Sequence, residues 1–125
     1  MGIEGKKALV ADDDPAILRL VAYYLGGMGL AVSVASNGRE ALDSFRADEP
    51  DIVILDVMMP GMSGWEVCRA IRETSAIPVL MISARRDEKD VRRSRECGAD
   101  VHLSKPLPLK ELTTQVQGLL DSARA

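Results

Sequence analysis

The sequence predicts an α/β fold, an open five-stranded parallel sheet with helices on both faces. Short apolar runs alternate from end to end with segments of helical period. The runs are apolar at nearly every position, as strands covered on both faces must be. Turn residues separate the elements, with no linker, repeat or low-complexity segment between them.

The first run, Ala8 to Ala11, leads into Asp12, Asp13 and Asp14, and Pro15 then suits the first turn of a helix. Ile17, Leu18, Val21, Ala22 and Leu25 recur at helical spacing, and Gly26-Gly27 is expected to stop that helix. Leu30, Val32 and Val34 alternate with Ala31, Ser33 and Ala35, the pattern of a half-exposed strand. Asn37 with Glu40 reads as a capping pair, opening a helix that buries Ala41, Leu42 and Phe45 before Pro50 ends it. Ile52 to Leu55 is the third strand, closed by Asp56. Residues 60–64 form a loop, and a helix from about Gly64 carries Trp65, Cys68 and Ile71. Pro78 stands at a strand entrance, where a missing N–H is tolerated, and Val79 to Ile82 runs into Ser83. A charged segment, Arg85 to Glu96, is the fourth helix and Gly98 breaks it. Val101 to Ser104 is the last strand, followed by Lys105-Pro106. A final helix from about Leu109 aligns Leu112, Val116, Leu119 and Leu120.

At 125 residues the chain suits one domain, 1–125, with its core over about 6–122. An apolar content of 46% is ordinary for a globular protein, and a net charge of −3 gives no electrostatic reason to expect nucleic-acid binding. Trp65, Tyr23, Tyr24 and Phe45 are all the aromatics, too few for base stacking as the main activity. Cys68 and Cys97 lack the histidines or partner cysteines of a zinc site and read as small hydrophobes of a reducing compartment. No stretch has signal-peptide or membrane-spanning character, so a cytoplasmic protein without membrane partners is expected.

Ligands of open parallel sheets sit outside the carboxyl ends of the strands. Those ends carry Asp12, Asp13, Asp56, Ser83 and Lys105. Two carboxylates about 5 Å apart repel by roughly 3 kcal/mol at an effective dielectric near 20. A cluster of them therefore calls for a cation or a bound proton. Hard oxygen donors with no thiol or imidazole beside them suit Mg²⁺ or Mn²⁺. A carboxylate there can attack a phosphoryl group to give a mixed anhydride, with Lys105 as a positive charge and Ser83 as a hydroxyl donor.

Ala8–Pro15, Pro50–Gly64, Pro78–Ala84 and Gly98–Pro106 resemble the receiver domain of two-component response regulators. The resemblance implies a flavodoxin-like (β/α)5 fold with strand order 2-1-3-4-5. It also implies that Asp56 is the phospho-accepting aspartate. Asp13 is then the main acidic metal ligand, Asp12 acts largely through water, and the Met58 backbone carbonyl completes the protein's share. Ser83 holds a phosphoryl oxygen, and Lys105 pairs with the phosphate, its own peptide bond to Pro106 being cis. The partner is a histidine kinase or phosphotransfer protein. Phosphorylation changes the surface of the fourth helix, fifth strand and fifth helix, where a second copy or a downstream protein docks. No direct nucleic-acid binding by this domain is implied.

Asp14 is better explained as a helix cap than as a ligand. Two positions depart from the family pattern. His102 stands where the family usually has tyrosine or phenylalanine, the ring that swings as Ser83 shifts, so either a modified switch or a partly exposed strand residue is expected. The fourth helix crowds Arg85, Arg86, Arg92, Arg93 and Arg95 around a nearly solitary Val91, an apolar face too small to bury well. This reads as a solvated, labile helix or as a basic patch for an acidic partner. The rivals are a receiver-like interaction domain that signals without phosphorylation, a small phosphatase using Asp12 and Asp14, and a flavodoxin-like binding module. The last lacks both a Ser/Thr-rich phosphate loop and flanking aromatics.

Overall fold

A computed structural model describes residues 2–84 and 87–124, with side chains to Ser122. Arg85 and Arg86 of the charged segment lie outside the described residues. Strands and helices alternate as β1 (Lys7–Ala11), α1 (Pro15–Gly27), β2 (Ala31–Ala35), α2 (Gly38–Asp48) and β3 (Ile52–Asp56). The second half continues with α3 (Gly64–Arg72), β4 (Val79–Ser83), α4 (Glu88–Glu96), β5 (Val101–Ser104) and α5 (Leu109–Arg124). All pairings are parallel, in the order β2-β1-β3-β4-β5, the doubly wound flavodoxin-like arrangement.

Alternate side chains of the central strands feed two cores. Ala8, Val10, Ile52, Ile54, Leu80 and Ile82 pack with Leu18, Val21 and Leu25 of α1 and with Leu112, Val116 and Leu120 of α5. Leu9, Val53, Leu55, Val79 and Met81 point the other way, onto Ala41 and Leu42 of α2 and Trp65, Cys68 and Ile71 of α3. This explains why β3 and β4 are buried at every position. Ile3 is also buried, in the α1/α5 core, so packing begins before residue 6.

Two local details differ from the sequence reading. Gly26 and Gly27 are the last residues of α1 rather than its stop, and Gly29, at φ +93°, makes the turn. In β2, Leu30 and Val32 pack inward as expected, but Val34 is exposed at the sheet edge while Ala35 is buried in the opposite core. The Asn37–Glu40 capping pair forms as expected: the Asn37 side chain accepts from the Glu40 amide at 2.9 Å, and the Glu40 carboxylate accepts from the Ser36 amide at 2.9 Å.

The fourth helix forms, and its inward stripe is polar. Asp90 and Ser94 are its buried residues, Cys97 at its C-cap is buried as well, and Val91 is only half-buried. Positions 90, 94 and 97 follow helical spacing, so a face does exist. It is not an apolar one.

Candidate functional site

Asp12 follows β1 directly and Asp56 ends β3. The register places Ala11 beside Leu55, which brings the two acids to the same sheet edge. Both are almost completely buried, at 2% and 3% exposure, while Asp13 is exposed. Asp12, Asp13 and Asp56 each present a carboxylate oxygen, all within 4.8 Å of one another. Asp14, by contrast, caps α1 by accepting from the Ala16 amide at 2.9 Å, and its own amide donates to Asp12 Oδ1 at 2.9 Å.

Lys105 arrives from the end of β5. Its amide donates to the Ser83 carbonyl at 2.8 Å, which ties the β4 and β5 ends together. Its Nζ lies 3.2 Å from Asp12 Oδ2 and 3.4 Å from Asp56 Oδ2, so one ammonium bridges both buried carboxylates. The Lys105–Pro106 peptide bond is cis. Ser83 is fully buried at the end of β4, one residue beyond Ile82, the register partner of Asp56. Met58 is half exposed, and its amide donates a long 3.4 Å bond to Asp56 Oδ1.

The charges do not balance. Burial, then the charge of Asp12, push the Asp56 carboxyl up to about 6, only partly opposed by Lys105. Burial alone would lower the Lys105 pKa, but Asp56 and Asp12 outweigh it and raise the group above its ordinary value. Three carboxylates against one ammonium leave an excess of negative charge in a small volume. At 4.8 Å a pair of like charges repels by about 3 kcal/mol at an effective dielectric of 20. A hard divalent cation offsets that charge, and the all-oxygen donor set fits one.

The loop between Asp56 and α3 is pinned from below. The Gly64 amide donates to the Val57 carbonyl at 2.8 Å, and Ser63 and Glu66 close a capping box at the start of α3. Asp56 is therefore held on a fixed strand end rather than on a mobile loop.

His102 lies apart from this cluster, beside Met81 in the sheet register. It is half-buried, and its Nδ1 is 2.8 Å from Ser94 Oγ. The same hydroxyl accepts from Trp65 Nε1 at 2.9 Å, and the Arg93 guanidinium sits 4.2 Å from the Trp65 ring centroid. Ser94 is thus a hub joining α3, α4 and β5. The sequence reading missed it because a search for apolar residues passes over a serine; the spacing of Asp90, Ser94 and Cys97 was the available signal. Ser94→Ala is expected to leave the buried Trp65 N–H without its partner and to destabilise the protein by about 1–3 kcal/mol. Urea denaturation, together with faster amide exchange across residues 88–96, checks this outcome.

The response regulator receiver domain family matches residues 8–117. The DNA-binding response regulator MtrA of Mycolicibacterium smegmatis is 40% identical over 115 residues, covering 92% of this chain and 50% of that protein. The transcriptional regulatory protein CseB of Streptomyces coelicolor is 42% identical over 112 residues, covering 90% of this chain and 48% of that protein. The chain thus spans about half the length of the curated relatives it matches. Among solved structures, the Francisella response regulator 1452 receiver domain superposes with TM-score 0.90 at 29% identity, covering 95% of this chain and 99% of that one. Vibrio cholerae CheY4 gives TM-score 0.86 at 31% identity, covering 92% of this chain and 98% of that one. The sequence match and the superposed fold agree: this chain belongs to the response regulator receiver domain family.

Proposed function

We propose that this receiver is a phosphorylation-operated switch in which Asp56 is the phospho-acceptor. The observation that carries the reading is the convergence of Asp12, Asp13 and Asp56 within 4.8 Å, with Lys105 Nζ 3.4 Å from Asp56. A histidine kinase or phosphotransfer protein is the donor. An Asp56 carboxylate oxygen forms the new bond to phosphorus as the P–N bond of the donor phosphohistidine breaks, and the imidazole leaves. Asp12, Asp13, Asp56 and the Met58 carbonyl would hold Mg²⁺ or Mn²⁺, which supplies positive charge against the phosphoryl oxygens. Lys105 transfers its ion pairing from the carboxylates to the phosphate, and the Ser83 hydroxyl donates to another phosphoryl oxygen. The domain acts only on its own phosphorylation and dephosphorylation and is not an enzyme with a diffusible substrate.

The readout face is α4, β5 and α5, where Val91, Ser94, His102, Leu103, Glu111 and Gln115 line a cavity of about 290 Å³. His102 replaces the usual swinging ring, and its tie to Ser94 passes any shift at Ser83 to α4. A downstream protein or a second copy docks there. Tenfold preference for one state requires about 1.4 kcal/mol of differential binding. The protein works in the cytoplasm, and among the described residues no helix is long and apolar enough to cross a membrane. Of the relatives, MtrA is a DNA-binding response regulator and CseB a transcriptional regulatory protein. Control of a DNA-binding region, without nucleic-acid contact by the receiver itself, is the matching output.

Incubation with Mg²⁺ and acetyl phosphate tests the acceptor. Intact mass should show the wild type gaining one phosphate and Asp56→Ala gaining none. An unmodified wild type would favour signalling without phosphorylation. Equal labelling of the variant would place the acceptor elsewhere, and multiple turnover of a small phosphate ester would favour a phosphatase.

A further inference from the structure

Cys68 and Cys97 are 29 residues apart in sequence, yet the fold brings them into contact between α3 and the C-terminal end of α4. Cys68 Sγ donates to the Cys97 carbonyl at 3.3 Å, and Cys97 Sγ donates to the Ser94 carbonyl at 3.0 Å. The Cys68 sulfur thus lies against the Cys97 backbone, with the Cys97 sulfur on the same residue. Both are buried, at 0% and 4% exposure. We propose that this pair is a redox modification site: a hydroperoxide oxidises it to an intramolecular disulfide that ties the end of α4 to α3.

The mutual influence of the two groups sets the order of events. The neighbouring Cys68 lowers the Cys97 pKa, while Cys97 and burial raise that of Cys68, so Cys97 ionises first. Arg69 adds to the effect on Cys97, and at 4% exposure Cys97 is the less completely buried of the two. The Cys97 thiolate attacks one peroxide oxygen. An S–O bond forms, the O–O bond breaks, and the released hydroxide takes up a proton to become water. Cys68 sulfur then displaces the sulfenic hydroxyl, forming S–S, and its proton leaves with that hydroxyl as a second water. Both sulfurs are oxidised and both peroxide oxygens are reduced. Thiol–disulfide exchange with a cellular dithiol reverses the bond.

The position gives the bond a consequence. Besides Val91, α4 is held by polar contacts through Ser94 and by the Arg93–Trp65 stack, which a helix shift can exchange. A disulfide at Cys97 restrains the same helix covalently. That this restraint damps switching rests on the reading in the preceding subsection, whereas formation of the bond does not.

The test treats the folded 125-residue chain with hydrogen peroxide, unfolds it, alkylates free thiols and maps the peptides. Peptide mapping is needed because the six methionines also take up oxygen. The expected result is a Cys68–Cys97 cross-linked peptide two hydrogens lighter than its parts. Both alkylatable thiols are lost, and dithiothreitol restores them. Cys68→Ala should stop at a dimedone-trappable sulfenic acid on Cys97, and Cys97→Ala should leave Cys68 reduced. Both thiols still alkylated in peroxide-treated wild type, or disulfides formed only between molecules, would overturn the proposal. Slower amide exchange across 88–96 in the oxidised form is the expected structural readout. Acetyl phosphate labelling of the reduced protein runs in parallel, so a failure of the Asp56 reading is seen separately from a failure here.

Discussion

Asp56→Asn is expected to make the metal-free protein more stable than the wild type at neutral pH, by about 1–3 kcal/mol. Burial and the neighbouring Asp12 raise the Asp56 pKa in the folded state to about 6, against 3.8 for the free group. Below pH 3.8 the group is protonated in both states and costs nothing. Between 3.8 and about 6 the folded protein holds a proton that the unfolded chain has released, so stability falls as pH rises, and above about 6 the full penalty stands. An amide cannot ionise and carries no such penalty. Urea denaturation at a series of pH values should therefore show the two proteins converging in acid and separating toward neutrality. Mg²⁺ should then stabilise the wild type more than the variant, because a ligand bound only by the folded state adds RT ln(1 + [L]/Kd). Equal stability at neutral pH without metal would contradict the charge imbalance on which the site reading depends.

Gly64→Ala is expected to be among the most damaging single methyl additions near the site. A Cβ at Gly64 would collide with the Asp56 carbonyl oxygen and stand 3.0 Å from both the Asp56 carbonyl carbon and Val57 Cα. All three are backbone atoms at a strand end and cannot rotate away. The cost is about 1–3 kcal/mol or somewhat more, as for overpacking in a core. The strain falls on the carbonyl of the proposed acceptor, so slower acetyl phosphate labelling of the folded fraction should accompany the lower urea midpoint. Gly61→Ala is the control: its added Cβ meets nothing within 4 Å, although φ +78° still strains that position. Its smaller stability loss should leave labelling nearly intact.

Strand identity and the two-sided sheet were readable because continuous apolar runs leave one arrangement that buries both faces. Asp12, Asp56 and Lys105 were readable because each stops such a run, and parallel strands put those stops on one edge. The lysine's simultaneous contact with both carboxylates was not readable, since it depends on how far its side chain reaches across β3 and β4. Nor was the buried face of α4. Its charge suggested a poorly held helix, and the structure gives it polar anchors instead, Asp90 and Ser94, with Trp65 and His102 as partners of the latter.

By itself the sequence determined the order of elements, the parallel sheet and the residues brought to its carboxyl edge, because period and chain direction are local properties of the polymer. Only the tertiary structure decided which side chains touch: Lys105 between two aspartates, His102 with Trp65 through Ser94, and Cys68 against Cys97. Those pairings depend on the packing of helices against opposite sides of the sheet, a long-range balance of buried volume and hydrogen bonding that no short stretch of chain contains.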